Sequence, residues 1–262
     1  RAFTHGPADT RPRWSPDGTR LAFLRASGEP GKPAHVAVMD AAGGEATVIT
    51  SFALGASEAE WSPDGHHLAV IGSEYLDLDL TDEERKRRPR RVTGGGYRFD
   101  NLGWLHDRRK NVYLIDPNGG GPVALTTGDF RDAGLVWRPD GFAVGFVSAR
   151  HDRLYVEPGS QPWEVPIAGG DPVAQAPVGS WNELSYRPDG VAHVTGDPDP
   201  WGYPRVSGVW RLDPKGPNRL ASALDRNFTV PAPAIAPAGP QWLADGSFRA
   251  AIEDRATVRI VV

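Results

Sequence analysis

Trp14-Ser15-Pro16-Asp17-Gly18 returns as Trp61-Ser62-Pro63-Asp64-Gly65 and as Trp137-Arg138-Pro139-Asp140-Gly141. Two further versions read Tyr186-Arg187-Pro188-Asp189-Gly190 and Trp242-Leu243-Ala244-Asp245-Gly246. The pentapeptide has a mechanical meaning. Proline presets φ for the second position of a type I turn, aspartate suits the third, and glycine takes the left-handed position that closes it. The aromatic in front faces one way and plugs a core. An apolar run follows each of the first four turns: Leu21-Ala22-Phe23-Leu24, Leu68-Ala69-Val70-Ile71, Val144-Gly145-Phe146-Val147 and Ala192-His193-Val194. Strand, tight turn, strand is a β-hairpin.

A third strand ends each unit's next stretch in aspartate, as in Val36 to Asp40, Val112 to Asp116 and Val209 to Asp213. Gly-rich turns at Gly43-Gly44, Gly119-Gly120-Gly121 and Gly169-Gly170 lead to short fourth strands such as Thr47 to Thr50 and Val123 to Thr126. Four strands per unit, repeated radially, predict an all-β chain with the blades of a β-propeller. The aromatics are 47, 76, 49 and 56 residues apart, and the short spacings fit a blade of about 40–50 residues. A β-sandwich ranks below, because it needs no common turn in every unit. Trp14, Trp61, Trp137, Tyr186 and Trp242 should take equivalent, mostly buried positions. Each of these side chains carries about 150–250 Å² of area to bury.

The chain has 262 residues, 31 of them Gly and 25 Pro, and no Cys. That suits one turn-rich β domain and excludes a disulfide framework or a thiolate zinc site. No run approaches the length of a membrane-spanning helix. A net charge of −4 gives no global pull toward nucleic acid. Arg1-Ala2-Phe3-Thr4-His5-Gly6 does not read as a signal peptide, and the expected location is cytoplasmic. Residues 1–10 read as the close of an earlier blade. The blades that follow read as 11–50, 58–127, 128–175, 176–222 and 225–262. The last, through Val262, stops at a third strand, so about five blades are visible of what is expected to be a seven-bladed ring.

The 76-residue spacing hides an insertion of roughly thirty residues, placed at about 72–100. Asp77, Asp79, Asp82, Glu83 and Glu84 are followed at once by Arg85-Lys86-Arg87-Arg88-Pro89-Arg90-Arg91. Such a run can be a nucleic-acid or localisation patch. A calcium loop lacks its glycine and terminal glutamate. The favoured reading is a short solvated helix from Thr81 to Arg88. Thr81 would cap it with Glu84 at the capping-box position, and its acid-first, base-last order suits the helix dipole.

On these segments the chain resembles the N-terminal propeller of serine peptidases of the prolyl oligopeptidase family, in the acylaminoacyl-peptidase-like branch. The resemblance rests on the turn repeats and on Glu84 to Pro89 leading to Tyr97-Arg98-Phe99-Asp100. It rests also on Asp107-Arg108-Arg109 before Val112, on Leu125-Thr126 through Ser148-Ala149-Arg150-His151-Asp152, and on Asp225-Arg226-Asn227. It implies a propeller that caps a C-terminal α/β-hydrolase domain of the same protein and restricts access to short or N-acylated peptides. Further copies of the chain in a homo-oligomer stay open; nucleic acid and membrane are not expected partners. The resemblance brings no catalytic residues.

A hydrolase of this type needs G-x-S-x-G, and no such motif occurs. The seven histidines are dispersed. His66 and His67, adjacent after a turn, point to opposite faces of a strand. His151-Asp152 reads as a turn whose aspartate bonds local backbone. No catalytic, metal or cofactor residue is expected, and the chain alone is expected to catalyse nothing. The residues assigned to substrate gating are Glu83, Glu84, Arg85 and Arg108, set against a reading in which they are solvated or make ion pairs worth little at a surface. Arg108 and Arg109 can equally fix blade edges or an interdomain contact. The alternative of a different class is a stand-alone protein-binding propeller like that of the Tol system, which lacks the charged insertion.

Overall fold

The computed structural model describes all residues except 1–3, 5, 30, 78, 93–96, 101, 102, 203, 204, 229–238 and 256. The readings of Arg1-Ala2-Phe3 and Asn101-Leu102 therefore lie outside the described residues. Four antiparallel four-stranded sheets follow one another as blades of a β-propeller. The first holds β1 (Ala8–Trp14), β2 (Arg20–Ala26), β3 (His35–Asp40) and β4 (Thr47–Val48). Residues 8–10 thus open this blade instead of closing an earlier one, because Ala8 pairs with Ala26 across the hairpin.

The second blade holds β5 (Ala56–Trp61) and β6 (Leu68–Tyr75). The inserted α1 (Asp82–Arg87), β7 (Arg98–Phe99) and β8 (Gly103–Trp104) come next in the chain. β9 (Arg108–Ile115) and β10 (Val123–Ala124) then complete the sheet. The insertion spans 76–107 and not 72–100. The hairpin partners run on to the pair Tyr75 and Arg108, and Leu76 N donates to Asp107 O at 2.9 Å to close the base of the excursion.

The third blade is β11 (Ala133–Trp137), β12 (Ala143–Ser148), β13 (Gln161–Pro166) and β14 (Val173–Ala174). The fourth is β15 (Ser180–Tyr186), β16 (Ala192–Asp197), β17 (Gly208–Asp213) and β18 (Gly216–Leu220). A fifth sheet has three described strands, β19 (Gln241–Trp242), β20 (Phe248–Asp254) and β21 (Thr257–Val261). No described helix is long and apolar enough to cross a membrane.

Two-residue periodicity explains the continuous apolar runs, since a blade with a neighbour on either side must be apolar on both faces. In β6, Leu68 and Val70 pack with Leu24, Val36 and Val38 of the first blade. The intervening Ala69 and Ile71 pack with Val144, Phe146 and Val165 of the third. Leu68, Ala69, Val70 and Ile71 are all fully buried.

The five turns close alike. The glycine N–H donates to the carbonyl three residues back at 2.9–3.0 Å. The glycines at 18, 65, 141, 190 and 246 have φ between 70° and 85°, a region that carries little strain only without a Cβ. Each aspartate accepts the backbone N–H two residues on, Thr19, His66, Phe142, Val191 and Ser247, at 2.9–3.2 Å. Ser15 and Ser62 also donate to Asp17 and Asp64, whereas Arg138 and Arg187 take that place beside Asp140 and Asp189. The Ser15 hydroxyl and the Thr19 groups hold the Asp17 carboxyl down at about 2. The same local bonds lower Asp64, Asp140 and Asp245.

The aromatics latch neighbouring blades. Trp61 Nε1–H donates to Arg13 O and Trp137 Nε1–H to Glu60 O, both at 2.9 Å. In each case the acceptor residue immediately precedes the aromatic of the preceding blade. Trp242 Nε1–H reaches Ser185 Oγ at 3.3 Å, and the Tyr186 hydroxyl donates to Glu164 on β13 at 2.8 Å. Trp61, Trp137 and Tyr186 are buried, Trp242 is half-buried, and Trp14 is 54% exposed. The expectation of burial fails at Trp14 because the surface such an aromatic covers belongs to the blade before it, and no blade precedes β1 among the described residues.

Candidate functional site

First strands of successive blades touch one another (β1 with β5, β5 with β11, β11 with β15) and so line the axis. Polar residues of these strands, Arg11, Arg13, Glu58, Glu60, Asn182 and Glu183, border a cavity of about 680 Å³ beside the axis. β1, β5, β11 and β15 each carry a register shift against their partner, the local overtwist a bulge supplies. Arg11 at φ 52° and Gly134 at φ 68° sit in two of them. Glu58 accepts the Gly134 and Leu135 N–H groups at 3.1 and 2.9 Å. Arg13 pairs with Glu60 at 2.5 Å. Burial nevertheless pushes Glu60 up, against the lowering pull of Arg13.

The inserted segment leaves the second blade after β6 and returns at β9. The helix forms as its sequence dictates. Thr81 Oγ1 accepts the Glu84 N–H at 3.3 Å, and Glu84 Oε2 accepts the Thr81 N–H at 2.9 Å, a complete capping box. No residue of α1 is buried. Arg85 ties the helix to the propeller. Its guanidinium lies 3.6 Å from the Tyr75 ring centroid and donates to Leu80 O and Asp77 O, both at 2.8 Å. Arg88 pairs with Asp77. Beyond the helix, Trp104 stacks on Tyr97 at 5.9 Å and meets the His106 edge at 5.7 Å, with Arg90 over its ring at 4.5 Å.

Under the insertion lies a cleft of about 910 Å³. It opens on the face opposite the pentapeptide turns, where β5 begins, β6 ends and β9 begins. Three blades border it: the 31–33 loop of the first, the insertion and β9 of the second, and Arg131 ahead of β11 in the third. Six cations line it, Lys32, Arg85, Arg108, Arg109, Lys110 and Arg131, against the single carboxylate of Asp82. Arg109 has Glu74 at 3.3 Å and Arg108 has Asp107 at 3.6 Å. The Arg131 guanidinium makes no hydrogen bond or ion pair among the described residues. The Nε atoms of Arg85, Arg108 and Arg109 are buried without a hydrogen-bond partner. Burial, and then Arg131, lower Lys110; burial, and then Arg108, lower Arg131. Like charges crowded in a partly desolvated space disfavour their own charged forms.

Of the four gating residues read from the sequence, Arg85 and Arg108 share this cleft. Glu83 and Glu84 do not. Glu83 is exposed and paired with Lys86 at 3.0 Å, and Glu84 is committed to the cap. Lys110 and Arg131 escaped the sequence reading. Lys110 ends the Asp107 to Lys110 run, and only blade packing brings Arg131, twenty-one residues later, to its side through a parallel bridge.

His151-Asp152 does form a turn, closed by Leu154 N to His151 O at 3.1 Å, but Asp152 is exposed and makes no side-chain hydrogen bond among the described residues. Its neighbour Arg150 carries the structure there. Arg150 pairs with the fully buried Asp132 at 2.6 Å, which also accepts the Thr126 hydroxyl at 2.6 Å. Among the described residues no three His, Cys, Asp or Glu side chains converge as a metal ion would require.

No family model matches the chain. A curated peptidase of Bacillus subtilis (strain 168), the uncharacterized peptidase YuxL, is 33% identical over 144 residues. That match covers 53% of this chain and 22% of the peptidase, so the chain spans about a fifth of that relative. The acylaminoacyl peptidase of Pyrococcus horikoshii superposes with a TM-score of 0.68 at 16% identity, over 96% of this chain and 37% of that one. TolB of Acinetobacter baumannii superposes with a TM-score of 0.56 at 16% identity, over 95% of this chain and 52% of that one. At such identities the structural likeness is one of fold. The chain is thus a β-propeller with the fold of acylaminoacyl-peptidase propeller domains and a curated peptidase among its homologues.

Proposed function

We propose that this propeller is the non-catalytic gating and selection domain of a cytoplasmic serine peptidase that hydrolyses short or N-acylated peptides. In this reading a C-terminal α/β-hydrolase domain of the same protein supplies the chemistry. The observation that carries it is the pairing of a 33% identical peptidase segment with a fold that fills 37% of an acylaminoacyl peptidase chain, which leaves room there for a catalytic partner domain. The filter is physical. A polar cavity beside the axis and a cleft under an inserted segment admit an extended oligopeptide and refuse a folded protein. Positioning and exclusion of this kind act on which substrate reaches the reacting groups, not on the bond-breaking step.

The test is on the natural polypeptide that contains this sequence. Its intact mass should exceed the 28.3 kDa of this chain by a domain or more, and it should cleave acetylated di- and tripeptide esters while sparing folded proteins. A natural polypeptide near 28.3 kDa without hydrolytic activity refutes the reading. It would favour instead a stand-alone protein-binding propeller, for which the likeness over 52% of a TolB chain is the supporting observation.

A further inference from the structure

We propose that the cleft under the insertion binds the free carboxylate end of a short peptide, an inference that rests on the peptide-selecting function above and names the end of the peptide that is held.

The first support is the charge imbalance. Six cations and one carboxylate border a single cleft, in a chain whose net charge is −4. Glu74 beside Arg109 and Asp107 beside Arg108 offset part of the excess, and the remainder is concentrated locally and is not a property of the whole surface. The second is unmet hydrogen-bonding capacity. A charged donor group without a partner is costly in a partly desolvated space, and the Arg131 guanidinium has no partner among the described residues while it borders the cleft. A guanidinium presents its donors as a planar fork that matches a carboxylate in two-bonded geometry. An anion in the cleft would supply an acceptor to Arg131 and relieve the repulsion among Arg108, Lys110 and Arg131. The third support is the wall chemistry. Leu54, Leu80, Leu105 and the Tyr75 ring line the same space, so the ligand carries an apolar group next to its anion. A peptide's last residue has both; inorganic phosphate has only the charge. A volume of about 910 Å³ is at the upper end of ordinary ligand pockets, about 300–1,000 Å³, and holds a few residues but not a folded chain.

Calorimetric titration of the 262-residue chain with N-acetyl-trialanine, with the same peptide as its C-terminal amide, and with inorganic phosphate tests the assignment. The free acid should bind about tenfold or more tighter than the amide, the scale of one charge-assisted hydrogen bond. Arg131→Ala, which removes no bond of the fold, and Lys110→Met should each erase that difference and leave binding of the amide unchanged. Equal binding of acid and amide, or an unchanged acid affinity in both variants, overturns the carboxylate site and leaves peptide selection standing. Phosphate binding with both peptides refused overturns the carboxylate site and the peptide reading together. Failure of all three to bind at millimolar concentration overturns the proposal as well.

Discussion

Replacing His193 by glutamine should flatten the acid limb of the stability profile. His193 is 1% exposed. It lies 4.1 Å from the Trp242 ring with Nδ1 3.0 Å from Val191 O, an arrangement that suits a neutral ring donating from Nδ1. Burial lowers its pKa from 6.5 to about 4, against a raising contribution from the Val191 bond and with help from Arg187 and Arg211. The folded pKa is therefore below the unfolded one, so between pH 6.5 and pH 4 the unfolded chain binds the extra proton. Stability is fully present above the unfolded pKa and falls as pH drops from 6.5 toward 4. At about 1.36 kcal/mol for each pKa unit the whole effect is about 3 kcal/mol, of which about 2 kcal/mol is lost between pH 7 and pH 5. Urea unfolding of both proteins at pH 7 and pH 5 isolates it. Other titrations in this range, such as Glu60, raised by burial, and His35, lowered by burial, are common to both proteins and cancel. If the variant loses as much stability as the parent over this interval, His193 is not held neutral by burial and the reasoning fails.

Trp137→Ala should cost about 3–5 kcal/mol, since it removes a buried ring and leaves Glu60 O without its indole partner, whereas Trp14→Ala should cost about 1 kcal/mol or less; denaturation midpoints of the two variants give the contrast. Asp132→Ala leaves the buried Arg150 guanidinium uncompensated and should destabilise by about 3–5 kcal/mol, measured in the same way, with Asp152→Ala as the near-neutral comparison.

The pentapeptide turns were legible because everything that shapes them is local. Proline, aspartate and glycine at fixed offsets specify the turn and its side-chain bonds without help from the rest of the chain. The capped helix at Thr81 was legible for the same reason. The cleft was not. Arg85 and Arg108 belong to one insertion and its flank and were read together, but Arg131 comes from the next blade, and only the order in which blades stack puts it on the same opening. The buried Arg150–Asp132 pair was missed because an arginine and an aspartate eighteen residues apart look like ordinary surface charges until the hairpin closes over them. Trp14 was misread in the other direction. Its environment depends on a neighbouring blade, and sequence repetition describes the residue but not what covers it.

The tryptophan latches have a direction. Trp61 reaches back to Arg13 and Trp137 back to Glu60, so each acceptor lies N-terminal to its donor. On a ribosome, where chains emerge N-terminus first at about 5–20 residues per second, every new blade meets an acceptor already in place and never has to wait for one still being translated. Assembly can then proceed as a ratchet, each docked blade forming the platform for the next. A circular permutant that preserves every contact of the finished fold but moves the start between Arg13 and Trp61 would reverse that order at one joint, and the same final structure would have to be reached by a different route.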